Sequence, residues 1–217
     1  MEKDIFIPLL IGTLILGGLI IFVGYAFVEP AEIKAVESTA TTTVTLTVTT
    51  EISLTPPSEI TMAPAITASV NSSIGGTSTS PWNVKTNSEN GYILTLKDDS
   101  SPALATGTQS FADYATSATS TWDVASSTYQ FGFSVFGNDS PAVTWGTGTD
   151  CGSGGTPSTT LYYRGFQGLD NITVATSTAV TTTSGTNTTM CVAAGQQEVY
   201  APSGIYTTTI TGTATTN

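Results

Sequence analysis

The 217-residue sequence has no histidine, two cysteines, and five lysines plus arginines against sixteen aspartates plus glutamates. Each scarcity removes a kind of chemistry. Without imidazole there is no side chain whose ordinary pKa lies near neutrality, and the Ser-His and Cys-His nucleophilic pairs are ruled out. Beyond the N-terminal segment the cations are Lys34, Lys85, Lys97 and Arg164, scattered singly in a chain of net charge −11. Phosphate binding needs clustered cations, so no nucleic-acid partner is expected. Charged residues make up only 10% of the chain, under half the usual share of about 25%.

What replaces charge is threonine, at roughly one position in five. Thr, Val and Ile carry two heavy atoms on Cβ, which restricts them in a helix and suits them to a pleated sheet. The body is therefore expected to be β throughout, with a surface solvated by hydroxyls.

The first structural landmark is Ile5 to Val28, twenty-four residues without a charge. As a helix it would span about 36 Å against a hydrocarbon core of about 30 Å. Glu29 and Pro30 end it, and Lys3 with the amino terminus lies on the short side. The positive-inside rule then puts the N-terminus in the cytoplasm and the acidic body outside. The lipid bilayer is the expected partner of Ile5 to Val28. Two other readings stand beside this one. Gly24-Tyr25-Ala26 has the small-residue spacing of a signal cleavage site, and a pilin-like helix would anchor the subunit before packing inside a filament.

Residues Ala31 to Thr42 read as a stalk. After it Val44, Leu46, Val48, Thr50, Ile52 and Leu54 alternate with Thr43, Thr45, Thr47, Thr49, Glu51 and Ser53. Period-2 alternation predicts a strand with one buried and one hydroxyl face. Ile60 to Val70 carries Pro64 and reads as an irregular edge strand. Trp82-Val84 and Tyr92-Leu94-Leu96 read as two strands joined by a turn at Asn87 to Gly91. Further strands are predicted at Tyr129 to Phe136, Leu161 to Arg164, Ile172 to Ala175, Met190 to Ala194 and Ile205 to Ala214. Ser100 to Ser127 is expected to be a long loop or short helix. The organisation is thus a cytoplasmic tip (1–4), a transmembrane helix (5–28), a stalk (29–42) and one extracellular domain (43–217). Eight or so short strands with Gly, Asn, Asp and Pro turns point to an all-β sandwich with Greek-key, immunoglobulin-like connections.

Outside the membrane, Cys151 and Cys191 are expected to form a disulfide. Closing a loop of about 40 residues stabilises a fold by about 4 kcal/mol in the chain-entropy treatment. Half a metal site is the rival, and without histidine no metal or cofactor is expected. Carboxylate pairs remain possible as a general acid and base when buried near each other. Asp98-Asp99, Asp139 and Asp170 lie in turn contexts and read as turn residues, with a calcium contact at Asp98 and Asp99 as the alternative. Gly152-Ser-Gly-Gly155 lacks the Lys-Ser or Lys-Thr of a phosphate loop. Asn71, Asn138, Asn171 and Asn187 each begin an Asn-x-Ser/Thr triplet and are candidate glycosylation sites.

Trp82-Asn-Val-Lys-Thr-Asn87, Gly91-Tyr-Ile-Leu-Thr-Leu96, Ser101-Pro-Ala-Leu104, Ser110-Phe-Ala-Asp-Tyr114, Trp122 and Gln130-Phe-Gly-Phe133 together carry a resemblance. Over about residues 44 to 217 the chain resembles uncharacterised surface β-sandwich proteins of ultrasmall, reduced-genome bacteria. It is also loosely similar to WxL-type surface domains, without a Trp-x-Leu motif. The resemblance implies an exported, envelope-associated domain and supplies no catalytic residues. The expected function is a membrane-anchored structural or adhesive surface protein that is not an enzyme. In that reading loops carrying Trp122, Tyr162, Tyr163 and Phe166 would meet a glycan, a host cell or an envelope neighbour, although such aromatics are more often core residues. The alternative is a subunit of an extracellular filament, assembling with copies of itself through the N-terminal helix or through the strand containing Val44, Leu46, Val48, Ile52 and Leu54.

Overall fold

The computed structural model describes residues 37–118 and 120–217. The predicted tip, the transmembrane helix and most of the stalk lie outside them. Among the described residues no helix is long and apolar enough to cross a membrane. The chain divides between Thr47 and Val48, and Val48–Asn217 is one compact unit.

That unit is built from thirteen strands and one short helix: β1 (Ile52–Thr55), β2 (Ser72–Gly76), β3 (Trp82–Thr86), β4 (Tyr92–Asp98), β5 (Ala105–Thr106), β6 (Gln109–Ser110), β7 (Ala112–Asp113), β8 (Thr128–Gly137), α1 (Ala142–Trp145), β9 (Gly152–Ser153), β10 (Thr156–Pro157), β11 (Ile172–Ser177), β12 (Thr186–Gln197) and β13 (Ile210–Thr216). A six-stranded sheet runs β1-β3-β12-β8-β7, with β2 beside the second half of β12. A three-stranded sheet runs β11-β4-β13. All pairings in these two sheets are antiparallel except the short parallel contact of β7 with β8 in the larger one.

Side-chain period explains which residues meet. In β4, Tyr92, Leu94, Leu96 and Asp98 point inward and are buried, while Ile93, Thr95 and Lys97 are half-exposed. In β8, Phe131, Phe133 and Val135 enter the same core, as do Met190, Val192 and Ala194 of β12 and Trp82 and Val84 of β3. Ile172, Val174 and Ala175 of β11 complete it. The two sheets therefore share one apolar core, with Trp82 seated where a Cβ on Gly212 of β13 would fall 2.5 Å from its ring.

β12 is buried on both faces, because its alternate residues Cys191 and Ala193 pack into a second cluster with Leu161, Tyr163 and Tyr114. A layer of loops from 114–118, 120–122 and 146–166 thus covers the far face of the six-stranded sheet. The predicted strand Leu161 to Arg164 belongs to this layer. It makes isolated bridges to Gly146, Ser120 and Phe133 in place of a continuous ladder.

Three other expectations change in extent. The strand predicted from Val44 is paired only from Ile52 to Thr55, where it lies against β3. Alternation reports a residue's fitness for a strand and says nothing about the availability of a partner. Ile60 to Val70 forms one bridge, Ala63 to Ile74, and the edge strand of this region is β2, whose Ser-Ser-Ile-Gly-Gly sequence has no alternation to announce it. The C-terminal strand begins at Ile210, later than the predicted Ile205.

Candidate functional site

The layer over the six-stranded sheet is fastened at both ends. At one end Cys151 and Cys191 form a disulfide with a Cα separation of 5.2 Å, as the sequence predicted. Cys191 is fully buried in β12, and its ladder partner across the strand is Gly76 of β2. A Cβ on Gly76 would lie 2.5 Å from the Cys151 Sγ. Glycine at 76 leaves the space in which the sulfur sits.

At the other end Trp122 stacks on Tyr114 with ring centroids 4.6 Å apart and meets the edge of Tyr163 at 5.5 Å. The rings rest on strand positions without side chains. A Cβ on Gly132 of β8 would fall 3.1 Å from Trp122, and one on Gly195 of β12 3.4 Å from its Nε1. The Tyr114 hydroxyl donates to the Thr121 carbonyl at 3.0 Å and accepts from the Asp123 N–H at 2.9 Å, pinning the loop that carries Trp122.

These contacts favour the core reading of Trp122, Tyr162, Tyr163 and Phe166 over their display to a ligand. Tyr163 and Phe166 have no exposed surface, and Phe166 stacks on Phe133 at 4.2 Å. Burial is the main reason the Tyr163 hydroxyl is pushed up to about 12. Trp122 and Tyr162 are half-buried, each packed against a core cluster. Aromatic rings supply most of the apolar area with which such a layer can adhere to a sheet.

Asp98 closes β4 and Asp113 closes β7, while Asp99, Asp139 and Asp150 lie in turns or bends. Asp98, the one buried carboxylate among the described residues, accepts from the Ser100 N–H at 2.9 Å, the Ser100 hydroxyl at 3.1 Å and the Thr208 hydroxyl. Burial raises its pKa, and the hydrogen bonds from Thr208 and Ser100 oppose that rise. Asp139 accepts from the buried Tyr92 hydroxyl at 2.8 Å. Burial first, then this bond, raises the tyrosine's pKa. Asp113 accepts from Ala103 N–H and Asp150 from Gly152 N–H. Asp99 and Asp170 are exposed. No group of three or more acidic or cysteine ligands positioned for a metal ion occurs among the described residues. The structure thus does not join Asp98 and Asp99 into a calcium cage.

The four sequon asparagines, Asn71, Asn138, Asn171 and Asn187, are all exposed. Two of them flank a groove of about 670 Å³ on the covered side of the six-stranded sheet. Phe136 and Thr189 form part of its floor, Gly146 to Thr149 one wall, and Thr182 with Ser184 to Asn187 the other. None of the described residues lining it is charged. Sequence reading missed this groove, because its residues are separated along the chain and carry no motif.

Residues 37–51 form no strand, and Val44, Leu46 and Val48 are 89%, 85% and 74% exposed. The last residues before β1 are held by Thr86, whose hydroxyl donates to the Glu51 carbonyl at 2.8 Å, and by Asn87. Asn87 accepts from the Glu51 N–H at 2.7 Å and donates to the Thr49 carbonyl at 2.8 Å. Its amide reproduces the donor and acceptor of a peptide group and extends the β1–β3 pairing by a step.

Comparison with protein-family models, curated proteins and solved structures finds no match to this chain. Fold and site define its class as an all-β, disulfide-bonded protein.

Proposed function

We propose that the chain is a non-catalytic structural or adhesive protein displayed outside the cytoplasm, with Ile5 to Val28 as its membrane anchor and the body as a Greek-key sandwich. The observation that carries this reading is the Cys151–Cys191 bond, which ties the outer layer to the central strand of the larger sheet. A structural disulfide in a buried setting belongs to an oxidising compartment. The sparsely charged, hydroxyl-rich composition and the shared core of the two sheets support the same reading. Non-consecutive neighbours in both sheets support the Greek-key connections.

The test is protease treatment of intact cells, with the chain and its cysteines followed by mass spectrometry. Loss of the 43–217 region from intact cells, together with an oxidised Cys151–Cys191 peptide, is the expected result. A protease-resistant chain with reduced cysteines would refute display.

One observation favours a second reading, a strand-donating filament subunit. Val44, Leu46 and Val48 alternate with threonines, stand exposed, and run directly into β1. Such a segment suits addition to the sheet edge of another copy. Electron microscopy of protein from native membranes separates the two readings. Regular filaments that vanish on deletion of residues 43–50 support the subunit, and dispersed particles support the displayed protein.

A further inference from the structure

The groove on the covered side of the six-stranded sheet has a composition that selects its ligand. We infer that it is a binding site for an uncharged oligosaccharide, which would give the adhesive reading a ligand class and rests on that reading for its biological setting.

Size is the first argument. At about 670 Å³ the groove falls within the range of roughly 300–1,000 Å³ typical of small-molecule sites. Its chemistry is the second. With no charged side chain among the described lining residues, it offers nothing to neutralise a phosphate, a carboxylate or an ammonium group. A purely apolar ligand fits no better, because Asn138, Thr147, Thr186 and Asn187 would each lose hydration without a partner in return.

A neutral sugar meets both conditions. Its hydroxyls donate and accept at once, matching hydroxyl and amide side chains, and its C–H faces can lie on an aromatic ring. Phe136 supplies the ring, half-buried in the floor. Asn187 already uses its Oδ1 to accept from Asn83 Nδ2 at 2.7 Å, which orients its own amide N–H group.

The aromatics predicted to meet a glycan are consumed by the core, so this groove is a different site from the one the sequence indicated. Exposed Asn138 and Asn187 at its margin also begin sequons, and a glycan attached to either would compete for the same space.

The test uses the full-length chain, expressed through an oxidising compartment of a host without N-glycosylation and purified in a detergent lacking a sugar headgroup. Maltotetraose, mannotetraose and N-acetylchitotetraose are the neutral probes, and a hyaluronan tetrasaccharide is the acidic control, all followed by saturation-transfer NMR and calorimetry. Saturable binding of at least one neutral probe is expected, weakened by about tenfold or more in Thr147→Trp, which fills the groove from an exposed position. Ser184→Trp provides a second block from the opposite wall, should Thr147→Trp fail to fold. Thermal midpoints of the variant used and the wild type must agree for the comparison to count.

Binding of none of the neutral probes, equal binding by wild type and blocked protein, or preference for the acidic probe would overturn the assignment. Displacement of a bound neutral sugar by a peptide of residues 43–50 would instead reassign the groove to strand capture. Because this measurement uses purified protein and protease treatment uses intact cells, failure of the saccharide site leaves display standing, and failure of display leaves the binding result intact.

Discussion

Gly76 and Cys151 compete for one volume: a Cβ on the glycine would stand 2.5 Å from the Cys151 sulfur and 3.3 Å from the Met190 carbonyl oxygen. Replacing Gly76 by alanine should destabilise the protein by about 1–3 kcal/mol, the usual range for overpacking a filled site. The sulfur is the nearer obstacle, so the penalty should shrink when Cys151 and Cys191 are both alanine. Denaturant titrations of the four combinations form a double-mutant cycle. An undiminished penalty without the disulfide would assign the glycine to backbone packing alone.

Asn87 does for residues 49–51 what a strand neighbour would otherwise do. In Asn87→Ala the Glu51 amide proton should exchange faster, and stability should fall by about 0.5–1.5 kcal/mol for each hydrogen bond lost. Asn87→Asp keeps an acceptor for the Glu51 N–H but no donor for the Thr49 carbonyl. Protection of Glu51 should therefore return in the aspartate variant while part of the stability loss persists. Fast exchange at Glu51 in both variants would show that the side chain acts through the turn and makes no ladder contact of consequence.

The strands legible in the sequence are those with a simple contrast between faces. Tyr92, Leu94 and Leu96 alternate with less buried neighbours in β4, and Phe131, Phe133 and Val135 announce β8. β2 was hidden because Ser72, Ser73, Gly75 and Gly76 lie between a loop layer and β12, where small size matters more than apolarity. Val44 to Val48 illustrates the opposite failure, since its pattern is strong and its pairing absent. Pattern encodes what a segment can do in a sheet, and partner geometry decides whether it does so.

The site was less legible than the fold. Cys151 and Cys191 needed only their number and compartment to be paired. The type of residue at Trp122 and Tyr163 favours the core, but the surface they pack on is not legible, because its glycines, Gly132 and Gly195, are distant in sequence and adjoin only once β8 and β12 lie side by side. The neutral groove shares that difficulty. Threonines and asparagines in a chain rich in both carry no signal until the sheet and its covering layer set them around one volume.

Asp98 links stability to pH with an unusual sign. Its folded-state pKa is raised, chiefly by burial, so between the unfolded and folded values the native state holds more protons than the unfolded state. Its contribution is therefore fully present below the unfolded value of about 3.9 and is lost as pH rises through the folded value. Asp98→Asn keeps a carbonyl oxygen to accept from Ser100 and removes the titration. The stability of Asp98→Asn relative to wild type should rise with pH across that window and level off above it, as read from denaturant midpoints at successive pH values. A difference independent of pH would mean that the donors from Ser100 and Thr208 cancel the effect of burial.

The Tyr114 hydroxyl offers the sharpest separation between packing and hydrogen bonding in the outer layer. It donates to the Thr121 carbonyl and accepts from the Asp123 N–H, while its ring stacks on the Trp122 between them. Tyr114→Phe preserves the ring and removes both bonds, and the expected loss is about 0.5–1.5 kcal/mol for each of them. Gly132→Ala does the reverse: the bonding groups stay, but the new Cβ would lie 2.8 Å from the Tyr114 Cβ and 2.9 Å from the Arg164 carbonyl oxygen, lifting the layer from the sheet. Near-ultraviolet circular dichroism should then lose the Trp122 signal in Gly132→Ala and largely retain it in Tyr114→Phe, whose defect should appear in the exchange rate of the Asp123 amide. Were both variants to change the aromatic spectrum equally, the hydroxyl would be setting the position of the tryptophan, and the glycines beneath would merely tolerate it.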